Sequence, residues 1–485
     1  MKTEKLENRI LLSIESEKLF YTGDRCISVT PGTLVLKGIT VLTGKNGSGK
    51  TTFAQILEKG RNFRTNRIRH YSNHNPKIKC IEFQNIHSLP GVNIEYYQQR
   101  YEETMNDDIP TVRDILKEKI DNPDFKKLTK DFNLKDAEEK KVNSLSSGEL
   151  RKLLIINSIM DAPDLLILDN PYIGLDAPSR ITLNDALKKL KESGKSVMLI
   201  VQDENDAPDF TDNYLYAQDF TISENPLKVS RVSYRSFPFR QSEDEIHQSE
   251  GENFTPALNQ EKENFPGVIC CLKDCEVKYA GRAILQHLNW TVREGERWIL
   301  SGPNGSGKST LLSLLNADNP KSYCNDISLF GRKRGSGESI WDIKRKIGFV
   351  SPEMQLHFHG SGTVMEIVAN GLNDTVGMYV KPTPEQKEKA GRWLEHFRIL
   401  HLKDRLFKDL SSGERQMVLI ARSFIKEPKL LILDEPMHGL DPDNKNLVIH
   451  TIEEFLNVRK DVAFIMVTHN PEELPNVFDK HLRLG

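Results

Sequence analysis

Two stretches of this 485-residue chain carry the same groups at the same spacing. In the first, Gly44, Lys45, Asn46, Gly47, Ser48, Gly49, Lys50, Thr51 and Thr52 follow one another. In the second, Gly302, Pro303, Asn304, Gly305, Ser306, Gly307, Lys308, Ser309 and Thr310 repeat the pattern 258 residues later. Both fit G-x-x-x-x-G-K-[ST]. Glycines at these places let backbone N–H groups curl around phosphate oxygens, and the helix that follows favours an anion at its N-terminus. Lys50 and Lys308 are placed to reach the β- and γ-phosphates of ATP, with the Thr51 and Ser309 hydroxyls on Mg²⁺.

A second pair of motifs supplies carboxylates. Leu165–Asp169 and Leu430–Asp434 both read Leu-Leu-Ile-Leu-Asp, 265 residues apart. Asp169 and Asp434 end apolar runs and are expected to hold Mg²⁺ through water. The next residue differs between the copies: Glu435 in the second, Asn170 in the first. A carboxylate there can orient and deprotonate an attacking water, whereas an amide cannot take the proton. Losing a general base typically costs ~10²–10⁴ in rate.

These motifs need strands before them and helices after them. Ile39–Thr43 and Arg297–Ser301 are apolar strands leading into the two glycine-rich loops, and Leu311–Leu315 continues the second loop as a helix. Val197–Val201 and Val462–Val467 read as buried strands of a parallel sheet. Strand–loop–helix units recur along both halves, so the expected class is α/β. A chain of this length exceeds the ~250–300 residues at which single cores stop growing. The repeat divides it into domains at 1–235 and 266–485. Between them, residues 236–265 are rich in Ser, Glu, Gln and Asn, include Pro238 and Pro256, and read as a polar linker.

Bulk composition narrows the partners. Lys plus Arg number 67 and Asp plus Glu 69, a balance that leaves no electrostatic footprint for direct nucleic-acid binding. Apolar runs such as Leu430–Leu433 fall far short of the ~20 residues a membrane helix needs. The start, Met-Lys-Thr-Glu-Lys, has no apolar signal core. The expectation is a cytoplasmic protein that meets the inner face of the cell membrane only through partners. Among six cysteines, only Cys270, Cys271 and Cys275 cluster. They lack zinc spacing and read as small residues of a buried strand.

One more repeated motif is specific to a family. Leu145-Ser-Ser-Gly-Glu149 recurs as Leu410-Ser-Ser-Gly-Glu414. Taken alone it reads as a helix cap. Lying between the phosphate loop and the aspartate run, in both copies, it resembles the LSGGQ signature of the ATP-binding cassette (ABC) family. The resemblance implies two P-loop ABC nucleotide-binding domains in tandem, stacked head to tail within one chain. Each ATP would be shared between the loop of one domain and the signature of the other. One site would join Lys308, Ser309, Asp434 and Glu435 with Ser146 and Gly148. The other would join Lys50, Thr51 and Asp169 with Ser411 and Gly413.

The resemblance also implies roles for other residues. His469, after the strand ending at Thr468, matches the family's switch histidine. The first copy has Gln202 there. Tyr279 and Tyr21, each 23 residues before its loop, fall where the family stacks an aromatic ring on adenine. The family's Q-loop glutamine should follow Ile347–Val350, but the chain has Ser351, Pro352 and Glu353, leaving Glu353 or Gln355 as substitutes. In the first copy Gln98 or Gln99, after Tyr97, is the candidate. From Leu329 through Ser351 the second half further resembles soluble ModF/PhrA-type tandem cassettes, a group labelled molybdenum-transport ATP-binding proteins. The resemblance implies an ATPase coupled to transport through separate membrane permease subunits, and Glu435 and His469 against Asn170 and Gln202 suggest one hydrolytic and one impaired site. The alternative is a cytosolic regulatory or ribosome-associated tandem cassette. Against it, the linker is short and polar, and Met437-His-Gly-Leu-Asp441 departs from the translation-factor pattern.

Overall fold

The computed structural model describes residues 10–14, 18–22, 25–30, 34–59, 68–70, 77–83, 110–132, 134, 138–141, 147–172, 175, 177–226, 267–279, 282–303, 305–352, 354, 362–373, 381–468, 474 and 477–485. The stretch read as a linker, 236–265, lies outside them. In the first half, five parallel strands form the framework: β1 (Ile39–Gly44), β2 (Ile78–Glu82), β3 (Leu165–Asp169), β4 (Ser196–Ile200) and β5 (Asn213–Gln218), in the order β2-β3-β4-β1-β5. The second half repeats this with β6 (Arg297–Ser301), β7 (Ile347–Val350), β8 (Leu430–Asp434), β9 (Ala463–Val467) and β10 (Lys480–Arg483), ordered β7-β8-β9-β6-β10. The internal repeat in the sequence is thus a repeat of sheet topology.

Six helices matter for the site. They are α1 (Lys50–Lys59), α2 (Ser147–Met160) and α3 (Ala177–Glu192) in the first half, and α4 (Lys308–Leu315), α5 (Ser412–Phe424) and α6 (Pro442–Val458) in the second. Apolar clusters on both faces of the sheets explain why β3 and β8 are apolar at every position before the aspartate. In β8, Leu430 and Ile432 join one core cluster while Leu431 and Leu433 join the other, following the two-residue strand period. In β3, Ile167 and the pair Leu166/Leu168 divide the same way. An aromatic knot holds the helices of the second half: Trp393 lies 5.2 Å from Phe424, which lies 5.0 Å from Phe455. Antiparallel strands flank each sheet. One of them, Val268–Tyr279, carries Cys270 and Cys275 buried among apolar side chains, as expected for structural thiols. No helix among the described residues is long and apolar enough to cross a membrane.

Candidate functional site

Both phosphate loops sit at the C-terminal ends of β1 and β6, the edge where open α/β sheets gather their ligands. Their backbones match closely. Gly44, Gly47 and Gly49 have φ of 147°, 75° and 98°, and Gly302, Gly305 and Gly307 have 149°, 82° and 94°. Only glycine adopts such values without strain. The lysines fold back over the loops: Lys50 Nζ donates to the carbonyls of Gly44 (2.5 Å) and Lys45 (2.8 Å), and Lys308 Nζ to those of Gly302 (2.7 Å) and Pro303 (3.0 Å). Burial pulls the Lys50 ammonium down to about 8, opposed by the charges of Asp169 and Asp441.

Two atoms test whether a phosphate fits. Ser48 and Ser306 occupy the same place in the two loops. Each buries a hydroxyl oxygen with no hydrogen-bond partner. An unsatisfied buried polar group costs about 1–3 kcal/mol. A phosphate oxygen curled into the loop would satisfy both, so the cradles fit the triphosphate group that the motif implies. Thr52 and Thr310 lie one turn further on, half-buried in α1 and α4. Asn304 lies outside the described residues.

The metal-binding candidates of the first half are assembled. Thr51 Oγ1 donates to Asp169 Oδ2 at 2.6 Å. Asp169 is 5% exposed, and burial pushes its carboxyl up to about 6 despite the Thr51 hydrogen bond. A divalent cation on this pair would supply positive charge to hold the phosphates and offset the buried anion. In the second half Asp434 is buried at the tip of β8 and Ser309 is exposed at the start of α4.

The residues after the two aspartates share one unusual backbone. Asn170 has φ 56° and Glu435 has φ 50°. The Asn170 N–H donates to Ile200 O at 2.9 Å and the Glu435 N–H to Val467 O at 3.0 Å. Structure therefore confirms that Asn170 and Glu435 are counterparts. By the same register Gln202 is the counterpart of His469, two residues beyond those carbonyls; His469 itself lies outside the described residues. In the first half the substitutions form a hydrogen-bonded chain: Asn170 Nδ2 donates to Asp169 Oδ1 at 2.8 Å, and Gln202 Nε2 donates to Asn170 Oδ1 at 3.2 Å. In the second half His438 Nε2 lies 3.1 Å from Glu435 Oε2. Sequence reading passed over His438; its signal is the i+3 spacing from Glu435. A cleft lined by Asn170, Gln202 and Arg180 of the first half and Glu435, His438 and Thr468 of the second brings the two strand ends face to face.

Of the two signature segments, the second is described throughout and the first only from Ser147 onward. Ser411 caps α5: its Oγ accepts from the Glu414 N–H, and the Glu414 carboxylate accepts from the Ser411 N–H at 2.7 Å. The plain helix-cap reading is thus true of this serine, whatever else it binds. Gly413 packs so tightly on the Asn46 side chain that a β-carbon there would collide with it, and Gly47 faces Glu414. The first loop and the second signature therefore meet across the two halves, head to tail. Gly148 lies in the first turn of α2, and Ser146 lies outside the described residues. Asp441, unremarked in the sequence beyond its motif, joins this contact. It caps α6 by accepting from the Asn444 N–H and also accepts from the Asn46 N–H at 2.7 Å.

Tyr279 ends its strand half-buried; its hydroxyl accepts from Asn319 Nδ2 at 2.8 Å, and Lys321 Nζ lies 5.9 Å from the ring centroid. Tyr21 lies in the strand Lys18–Thr22. Strand register aligns the two copies at the segment after this strand. Glu82 pairs with Asp169 in the sheet, and Ser351 follows the strand that pairs with β8. By this register the counterpart of Glu353 is Gln84, which sequence reading overlooked. Gln84, Gln98, Gln99, Glu353 and Gln355 all lie outside the described residues. Among the described residues no group of His, Cys, Asp and Glu forms a separate metal site.

Comparison with known proteins agrees with this geometry. The family model described as ABC transporter matches residues 32–173 and 285–438. The ABC transporter ATP-binding protein ModF of Escherichia coli is 33% identical over 446 residues, covering 89% of this chain and 88% of that protein. An uncharacterised ABC transporter ATP-binding protein of Schizosaccharomyces pombe is 28% identical over 90% of this chain and 89% of its own length. Among solved structures, the RNase-L inhibitor superposes with a TM-score of 0.53 at 19% identity, over 97% of this chain and 88% of that one. That likeness shows the shared tandem fold.

Proposed function

This chain belongs to the ABC transporter family of ATP-binding cassettes and is an ATPase, and we propose that its two sites are unequal. Residues 1–235 and 266–485 form the two cassettes. In the second site, Lys308 and Ser306 bind the phosphates, Ser309 and Asp434 hold Mg²⁺, Glu435 takes the proton of the attacking water, and His469 bonds the γ-phosphate; Ser146 and Gly148 close it from the other half. In the first site, Lys50, Ser48, Thr51 and Asp169 hold ATP and Mg²⁺ against Ser411 and Gly413. There Asn170 offers no base and Gln202 no imidazole. That site retains ATP and keeps the halves together while the other turns over.

One observation carries the reading: Asn170 and Glu435 sit in the same left-handed backbone position at matching hydrogen bonds, one an amide and the other a carboxylate. Purified protein should lose roughly 10²–10⁴ of its ATPase rate on Glu435→Gln, while Asn170→Ala changes little. Equal losses would reject the asymmetry. We further propose that turnover energises permease subunits on separate chains, as the label of the ModF relative suggests. Affinity capture from solubilised membranes should recover such a permease. Capture of ribosomes in its place would reject the transport role.

A further inference from the structure

The two composite sites differ in a second way, outside the catalytic groups. At the first, Lys45 Nζ lies 2.6 Å from Asp443 Oδ2, an ion pair from the first phosphate loop to the first turn of α6 in the other half. The neighbouring Asn46 N–H donates to Asp441 Oδ2 at 2.7 Å. Nearby, burial holds the Arg415 guanidinium of α5 below its usual range, opposed by Asp409 and Glu414 of its own half and, least, by Glu82 at the end of β2. The repeat allows each charged residue to be compared with its counterpart. Lys45 corresponds to Pro303 and Asp443 to Pro178, by the spacings of the loop and aspartate motifs. Arg415 corresponds to Leu150, and Glu82 to Ser351 by strand register. Four charged positions at one composite site are thus matched by four uncharged ones at the other.

We propose that Lys45 and Asp443 are positioning residues that clasp the two halves together at the first composite site alone, leaving the second to open and close around its nucleotide. The inference rests on the unequal-site reading above and adds a physical cause for which side opens. Neither partner of the ion pair is a group that the motif assigns to phosphate or metal. The clasp therefore acts whether or not a triphosphate is held. It resembles a hinge pin more than a catalytic device. Its strength is that of a half-exposed ion pair, supported by the adjacent Asn46–Asp441 hydrogen bond, and salt screens it.

A charge-swap cycle on the full-length chain tests this. Lys45→Asp and Asp443→Lys each place like charges face to face; the double variant restores attraction with the signs exchanged. Small-angle X-ray scattering of ATP-free protein at low salt should give a larger radius of gyration for each single variant, and a return to the wild-type value in the double. Wild type should expand toward the single variants as salt rises to about 0.5 M. In ATPase assays Asp443→Lys should raise KM for ATP about 1.5- to fivefold, the range expected for an exposed pair, and the double variant should recover most of it. If a reversal fails to fold, Asp443→Ala and the salt titration read the same contact. Single variants as compact as wild type, or a double variant no better than the singles, would overturn the clasp. Scattering does not depend on turnover, so an unimpaired Glu435→Gln enzyme would sink the unequal-site reading while leaving this result standing.

Discussion

Asp169 makes a prediction whose sign differs from that of a carboxylate stabilised by an ion pair. Its carboxyl is nearly enclosed, and burial lifts it from an ordinary 3.8 to about 6. Two units at 1.36 kcal/mol each amount to about 3 kcal/mol. Because the folded value is raised, the associated stability is fully present below pH 3.8 and is lost as pH rises through 6. At pH 7 and without metal, the ionised group therefore destabilises the first half. Asp169→Asn removes that charge, but its single amide oxygen can accept from only one of the two donors, the Thr51 hydroxyl or the Asn170 amide, so one bond worth about 1 kcal/mol is lost. The net gain at pH 7 is about 1–2 kcal/mol, or roughly 2–8 °C in the melting of a domain of this size. Scanning calorimetry of ATP-free protein at pH 7 and pH 5 reads it directly. The variant should melt higher at pH 7, and the advantage should shrink at pH 5. The same proton governs binding. With the second loop disabled by Lys308→Ala, affinity for Mg²⁺·ATP should fall as pH drops below 6, and fall again as Lys50 loses its proton above pH 8. An Asn variant that melts lower by the same margin at both pH values would refute the reasoning.

Other substitutions read separate parts of the structure. Ser48→Ala removes a hydroxyl that has no partner within the protein; melting without nucleotide should stay level or rise slightly, while ATP affinity at the first site drops about two- to tenfold. Gly413→Ala drives a methyl into the Asn46 side chain at the contact between halves. ATPase activity should fall while the circular dichroism spectrum is unchanged, and a fully active variant would argue against head-to-tail closure. Trp393→Ala empties the aromatic knot beside Phe424 and Phe455 and should destabilise the second half by about 3–5 kcal/mol in urea unfolding.

Much of this fold was legible because its chemistry fixes residue types. A phosphate loop needs glycines where φ is positive, and a strand buried on both faces needs the uniform Leu-Leu-Ile-Leu run. These two motifs, with the repeated Leu-Ser-Ser-Gly-Glu, located the repeat, and the apolar runs Val197–Val201 and Val462–Val467 pointed to the parallel sheets. Contacts between halves were less legible, since no spacing in the sequence reports which surfaces meet. Lys45 and Asp443 are ordinary charged residues until the fold sets them 2.6 Å apart. Gln84 was passed over for a different reason. Aligning it with Glu353 requires strand register, which the sequence alone does not give. The stacking assigned to Tyr279 rests on spacing from the loop; the structure adds that its hydroxyl is engaged by Asn319.

The left-handed backbone after each aspartate bears on how such a chain could change over time. Asparagine tolerates that conformation better than almost any other residue with a side chain, whereas for glutamate it costs roughly 1–2 kcal/mol. A cassette that exchanges glutamate for asparagine at this position relaxes its main chain in the same step. Reinstating glutamate at 170 would bring that strain back. Drift between the two copies has a preferred direction, built into one torsion angle.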